Sequence, residues 1–126
     1  MESREKLKNA RNLLLKLHKS LLDREREVYE NTNGPLNSGE FLNLLLEDLQ
    51  FAWLRKFSIL IVEIDEMFDL KDGISAEMID ANLVKIKELV EMKDFEENFR
   101  AKYEAGIQHN SDAASRQGEL KAMLRE

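Results

Sequence analysis

Between Asp48 and Leu70 the chain reads DLQFAWLRKFSILIVEIDEMFDL, in which Leu54, Phe57, Ile61, Ile64 and Phe68 recur at alternating spacings of three and four. Trp53, Leu60 and Met67 form a second row beside the first, seven residues apart. Apolar side chains at i, i+3, i+4 and i+7 fall on one face of an α-helix, so the stretch predicts a helix over about 49–70. The β-branched run Ile59-Leu60-Ile61-Val62 is compatible with a strand, but the helical spacing continues on both sides of it. Each such side chain contributes roughly 1.5–3 kcal/mol when buried. The neighbouring helices are therefore expected to pack around this one. Arg55, Lys56, Glu63, Asp65 and Glu66 interrupt the apolar run, which speaks against a membrane span of about 20 apolar residues.

The rest of the chain follows the same period. Leu7, Ala10, Leu14, Leu17, Leu21 and Val28 predict a first helix over Ser3 to Asn31, with Leu15, Leu22 and Tyr29 widening its stripe and Ser3 as a candidate N-cap. Asn33-Gly34-Pro35 ends it, because glycine takes up the left-handed C-terminal conformation and proline cannot continue a helix. A short second helix is expected from about Ser38, with Asn37 and Glu40 at capping-box spacing. Its residues Phe41, Leu42, Leu44, Leu45 and Leu46 are apolar nearly all round, a pattern expected of a helix buried on several sides or covered by a partner. Asp48 is a candidate cap for the central helix, although nothing between Ser38 and Leu70 forbids one continuous helix.

Asp72-Gly73 closes the central helix. Ser75, flanked by Ile74 and Ile79, predicts a helix from Ala76 with a stripe of Ile79, Leu83, Ile86, Leu89 and Val90. Lys93-Asp94 interrupts it, and Asp94 with Glu97 predicts a further helix carrying Phe95, Phe99 and Tyr103. The segment from Ser111 holds Leu120, Met123 and Leu124 as its only large apolar residues, with Gly118 in the middle, and predicts a last short, loosely held helix. The expectation is an all-α fold: one domain over residues 1–126, an up-and-down helical bundle of five to six helices.

Charge adds an asymmetry. The net charge of −6 argues against a general nucleic-acid binder. Residues 1–22 nevertheless carry net +4, so the remaining 104 carry −10. A basic first helix can dock on an acidic body, or meet an anionic partner. The absence of cysteine excludes disulfides, thiolate metal sites and cysteine nucleophiles, and is compatible with a cytoplasmic location. The N-terminal MESREKLKNAR lacks the apolar core of a secretory signal.

Candidate chemistry is sparse. The two histidines, His18 and His109, follow Leu15 and Gly106 at the i−3 position, so neither belongs to the Glu-x-x-His pair of a di-iron bundle. There is no Gly-x-Ser-x-Gly and no phosphate-cradling glycine loop. No catalytic residue, cofactor or metal is therefore expected. The polar residues worth following lie close to apolar rows: His18, Arg55, Ser58 and Asp65, with Trp53 as a core residue or, if exposed, a binding hot spot. A buried charge needs a partner, which suggests Arg55 or His18 for Asp65.

The residues Phe51-Ala52-Trp53-Leu54-Arg55, Ser58, Leu60-Ile61-Val62 and Ile64-Asp65-Glu66 resemble the FAWLRxxSxLIVxIDE-like core of an uncharacterised family of small bacterial all-helical proteins. The likeness extends to Leu17-His18-Lys19, Leu21-Leu22-Asp23, Tyr29 and Gly34-Pro35, and fades after Asp72. Relatives tend to carry proline where this chain has Leu49, which implies a helix start there. The resemblance implies no reaction; it raises interest in His18, Arg55, Ser58 and Asp65. Two functions follow as expectations. The first is a non-enzymatic cytoplasmic interaction or regulatory bundle without nucleic-acid or membrane partners, whose protein partner can be a second copy. The second is a small-ligand or anion-binding bundle using His18, Arg55 and Asp65, which requires an open cavity touching at least two of them.

Overall fold

The computed structural model describes residues 2–92 and 96–125, and there the helical spacing becomes seven helices with no strand. They are α1 (Ser3–Asn33), α2 (Ser38–Glu47), α3 (Leu49–Ala52), α4 (Arg55–Phe68), α5 (Ala76–Val90), α6 (Glu97–Gln108) and α7 (Ser111–Leu124). The all-α bundle expected from the sequence is the fold. The capping signals place several ends: Asn37 and Glu40 form a full capping box on α2, Asp48 caps α3, and Ser75 Oγ accepts the Met78 N–H at the start of α5. Gly34, at φ 88°, lets its N–H reach the Glu30 carbonyl and ends α1.

Other expectations are corrected. Ser3 lies inside α1; the N-cap is Glu2, with no side-chain bond. The stretch 49–70 is not one helix but breaks at Trp53-Leu54, while Asp48 separates it from α2. Around the break the backbone tightens: Leu54 N–H donates to Phe51 O, and Phe57 N–H to Leu54 O. With bonds of this i→i+3 kind, residues three apart eclipse one another. Phe51, Leu54 and Phe57 thus fall in one buried line, with Trp53 buried beside them. A regular α-helix would set Phe51 and Trp53 on opposite sides. The proposed Asp94 cap and Phe95 lie outside the described residues.

α1 shares the centre with this stretch, since it packs against α3, α4, α5, α6 and α7. Leu7, Ala10, Leu14, Leu17 and Leu21 keep heptad spacing and are all buried, whereas Leu15 and Val28 are exposed. Arg4 and Lys8 stand over the Phe68 ring, Arg11 holds Asp65, and His18 stacks on Phe57. Numbers that rise along α1 fall along α4, so the two helices run antiparallel. Behind them Trp53, Phe57, Phe99 and Tyr103 form an aromatic cluster with ring centroids 5.3–6.4 Å apart, which ties α6 to the break.

The loosely held last helix is also corrected. α7 lies along α1 and buries Ala113, Gln117 and Leu120. Asn110 caps α7 with Oδ1 and donates from Nδ2 to the Ser20 carbonyl, while the Ser20 hydroxyl donates to the Asp112 carboxylate. Gln117 Nε2 donates to Val90 O and to Tyr103 Oη, each at 3.1 Å. Helix docking by small and polar side chains left little large apolar residue to signal it.

Candidate functional site

The feature that gathers the predicted residues is a cleft of about 350 Å³ between α1, α2 and α4. α1 lends it His18 and Leu22, and α2 lends Leu42, Leu45 and Leu46. The other wall is Phe51, Leu54, Arg55, Ser58 and Ile59. His18 and Leu22 reach it because they continue the heptad line Arg4, Lys8, Arg11, Leu15, His18, Leu22 on the flank of α1 next to the buried stripe. That line is basic up to Arg11, and the cleft begins beyond it, at His18 and Leu22.

α2 is held in place at both ends. Arg26 Nη2 donates to Leu36 O, its guanidinium stands 4.5 Å from the Phe41 ring centroid, and the Leu36 N–H donates to Glu30. At the other end, Arg55 Nε donates to Leu45 O, one of the carbonyls left free at a helix C-terminus. Phe41 and Tyr29 close on Phe51 beneath. Even so, α2 buries no residue fully. Phe41, Leu44 and Leu45 pack partly against the core, while Leu42 and Leu46 are left exposed.

The exposed apolar residues lie on α2, α3 and α4, and Leu42, Leu46 and Ile59 among them line the cleft. Leu42 (55%), Leu46 (64%), Leu49 (84%), Ile59 (57%) and Val62 (52%) are each more than half exposed. Leu15, one turn after Arg11 on α1, and Val62, one turn before Asp65 on α4, are exposed as well.

Three of the five candidate residues meet here: His18, Arg55 and Ser58. Trp53 does not; it is buried in the aromatic cluster on the core side, where its Nε1 finds no acceptor among the described residues. Asp65 does not either. It accepts from Arg11 Nε (2.9 Å) and Nη2 (2.8 Å), so the partner expected from Arg55 or His18 is Arg11 instead. The sequence signal was present, because Arg11 sits in the same heptad line as His18.

Within the cleft the polar groups differ in kind. His18, stacked on Phe57 with centroids 6.0 Å apart, has its pKa lowered by burial, which favours the neutral imidazole. Ser58 Oγ donates to the Arg55 carbonyl within its own helix. Arg55 Nη2 is buried and has no hydrogen-bond partner among the described residues. Nucleophile, base and oxyanion donors do not converge here. Among the described residues no three His, Cys, Asp or Glu side chains are grouped to hold a metal. No described helix is long and apolar enough to cross a membrane. Compared with family models, curated proteins and solved structures, the chain matches none.

Proposed function

We propose that this is a non-enzymatic protein-interaction or regulatory bundle of the cytoplasm, which receives an amphipathic helix on the α1–α2–α4 face. The carrying observation is that Leu42, Leu46 and Ile59 are more than half exposed and line one apolar cleft, with Leu49 on α3 and Val62 on α4 exposed as well. Exposed apolar surface of this kind on a folded domain marks an interaction surface, and a helix laid in a groove reads such anchors at helical spacing. The partner helix can belong to a second copy or to another protein, and kinship with the bacterial family resembled by residues 51–66 belongs to the same reading. The test places a photo-crosslinking amino acid at Leu46 in living cells. A discrete protein adduct at Leu46, lost on Ile59→Glu and missing when the probe stands at Glu119 on α7, is expected. No adduct at Leu46 overturns the reading.

A second reading, a small-ligand or anion-binding bundle, is favoured by one observation: His18 and Arg55 line the same open cleft. Asp65 is not part of it.

A further inference from the structure

Resting on that second reading, we propose that the α1–α2–α4 cleft binds an apolar monocarboxylate, with the carboxylate at Arg55 and the hydrocarbon body along Leu42, Leu46 and Ile59. A guanidinium keeps its charge at any pH at which a protein is folded, and a buried donor without a partner is uncommon. Arg55 lines the cleft and satisfies Nε on the Leu45 carbonyl, Nη2 is buried without a partner, and no carboxylate pairs with the guanidinium among the described residues, so its charge stands uncompensated at an apolar wall. Three and four residues to either side of Arg55 stand Phe51, Ala52, Ser58 and Ile59, none of them acidic. An anionic group entering the cleft offsets that charge once the guanidinium turns a terminal nitrogen toward it.

The walls say what that group is attached to. Apart from His18, Arg55 and Ser58, every lining side chain is Leu, Ile or Phe, and the volume of about 350 Å³ falls within the range of small-molecule sites. Arg55 is the cation of the lining, since burial disfavours charge on His18, and a single negative charge matches it. A polyanion such as a nucleotide would find one guanidinium and a hydrocarbon wall. An apolar acid matches both.

The probes are hexanoate, octanoate and decanoate, titrated into the full chain at pH 7.5 by calorimetry, with octanol as the neutral counterpart of octanoate. Each added methylene tightens binding about fourfold until the cleft is filled. Octanol binds at least about tenfold more weakly than octanoate, because it forfeits the charge-assisted bond. Arg55→Lys, which keeps the charge but not the fork, and Arg55→Gln both erode that preference, with circular dichroism showing that each variant is folded. Equal binding of octanol and octanoate overturns the carboxylate assignment while leaving a small-ligand site in place. No binding of either overturns both. The photo-adduct at Leu46 reports on the protein-docking reading separately.

Discussion

Arg11 grips Asp65 with two hydrogen bonds, Nε to Oδ1 at 2.9 Å and Nη2 to Oδ2 at 2.8 Å, across the antiparallel seam of α1 and α4. The paired geometry accords with the antiparallel register in which His18 stacks on Phe57. Because the Asp65 side chain is 45% exposed, water screens the pair and its energy is modest. A double-mutant cycle with Arg11→Met and Asp65→Asn in urea is expected to give a coupling of about 0.5–1 kcal/mol. A coupling of zero would show that the apolar contacts alone set the register.

Two helical glycines are expected to respond with opposite sign. At Gly106 in α6 a methyl group would lie 2.8 Å from Leu21 Cδ2, and Leu21 is fully buried, while at Gly118 in α7 nothing lies within 4 Å. Gly118→Ala is expected to stabilise by about 0.5–1 kcal/mol through helix propensity. Gly106→Ala gains the same propensity but overpacks the core, for a net loss of about 1 kcal/mol. Thermal denaturation of the two variants side by side decides; a stabilised Gly106→Ala would mean that α1 and α6 are not in close approach.

Gln117 joins three helices through its two bonds to Val90 O and Tyr103 Oη. Burial holds the Tyr103 phenol above its ordinary range, and the bond from Gln117 pulls it partly back. Gln117→Leu keeps the volume but strands both acceptors, and is expected to cost about 2–4 kcal/mol. Adding Tyr103→Phe removes one stranded group, so the double variant is expected to lose less than the sum of the two single losses. Strict additivity in chemical denaturation would refute the linkage.

His18 gives the fold a pH dependence of known sign. Its pKa in the folded chain lies below the ordinary value of about 6.5, through burial beside Phe57 in a cleft where the facing charge is Arg55. Between the folded and unfolded values the unfolded chain binds more protons. The His18 contribution is thus intact above about pH 6.5, declines as the pH falls below it, and levels off under the folded value. The stability of wild type relative to His18→Gln, measured at pH 7.5, 6.0 and 5.0, is expected to shrink with acidification. A constant difference over that range would sink the assignment.

Leu49 tolerates proline. It is the first residue of α3, where a backbone N–H has no intrahelical acceptor, and Asp48 before it is already extended at φ −84° and ψ 134°. Leu49→Pro is expected to leave stability unchanged or raise it by up to about 1 kcal/mol, by narrowing the unfolded ensemble. A loss above about 1 kcal/mol in the same denaturation assay would show that the Leu49 side chain or its N–H has a role in the fold.

The residues that brought the site to notice were legible for a local reason. His18, Arg55 and Ser58 stand next to apolar rows, and helical spacing is enough to place such residues on the flank of a buried stripe. Trp53 was legible as core and lies there. Which carboxylate met which cation was not legible. Arg11 and Asp65 are 54 residues apart, and only the antiparallel docking of α1 on α4 brings them together.

By itself the sequence determined the helices and most of their ends, because periodicity, caps and glycines act over four residues or fewer: Asn37 with Glu40, Ser75 and Gly34 all stand at the ends they signalled. It also marked α2 as too apolar for a one-faced helix. Tertiary structure alone decided what depends on distant partners. It tightened the backbone at Trp53-Leu54 so that Phe51, Leu54 and Phe57 could enter one core, and docked the weakly apolar α7 through Ala113, Gln117 and the Ser20–Asp112 bond. It also left Leu42 and Leu46 in water, because α2 is fastened at its two ends across an open cleft, where no other helix among the described residues comes near enough to cover it.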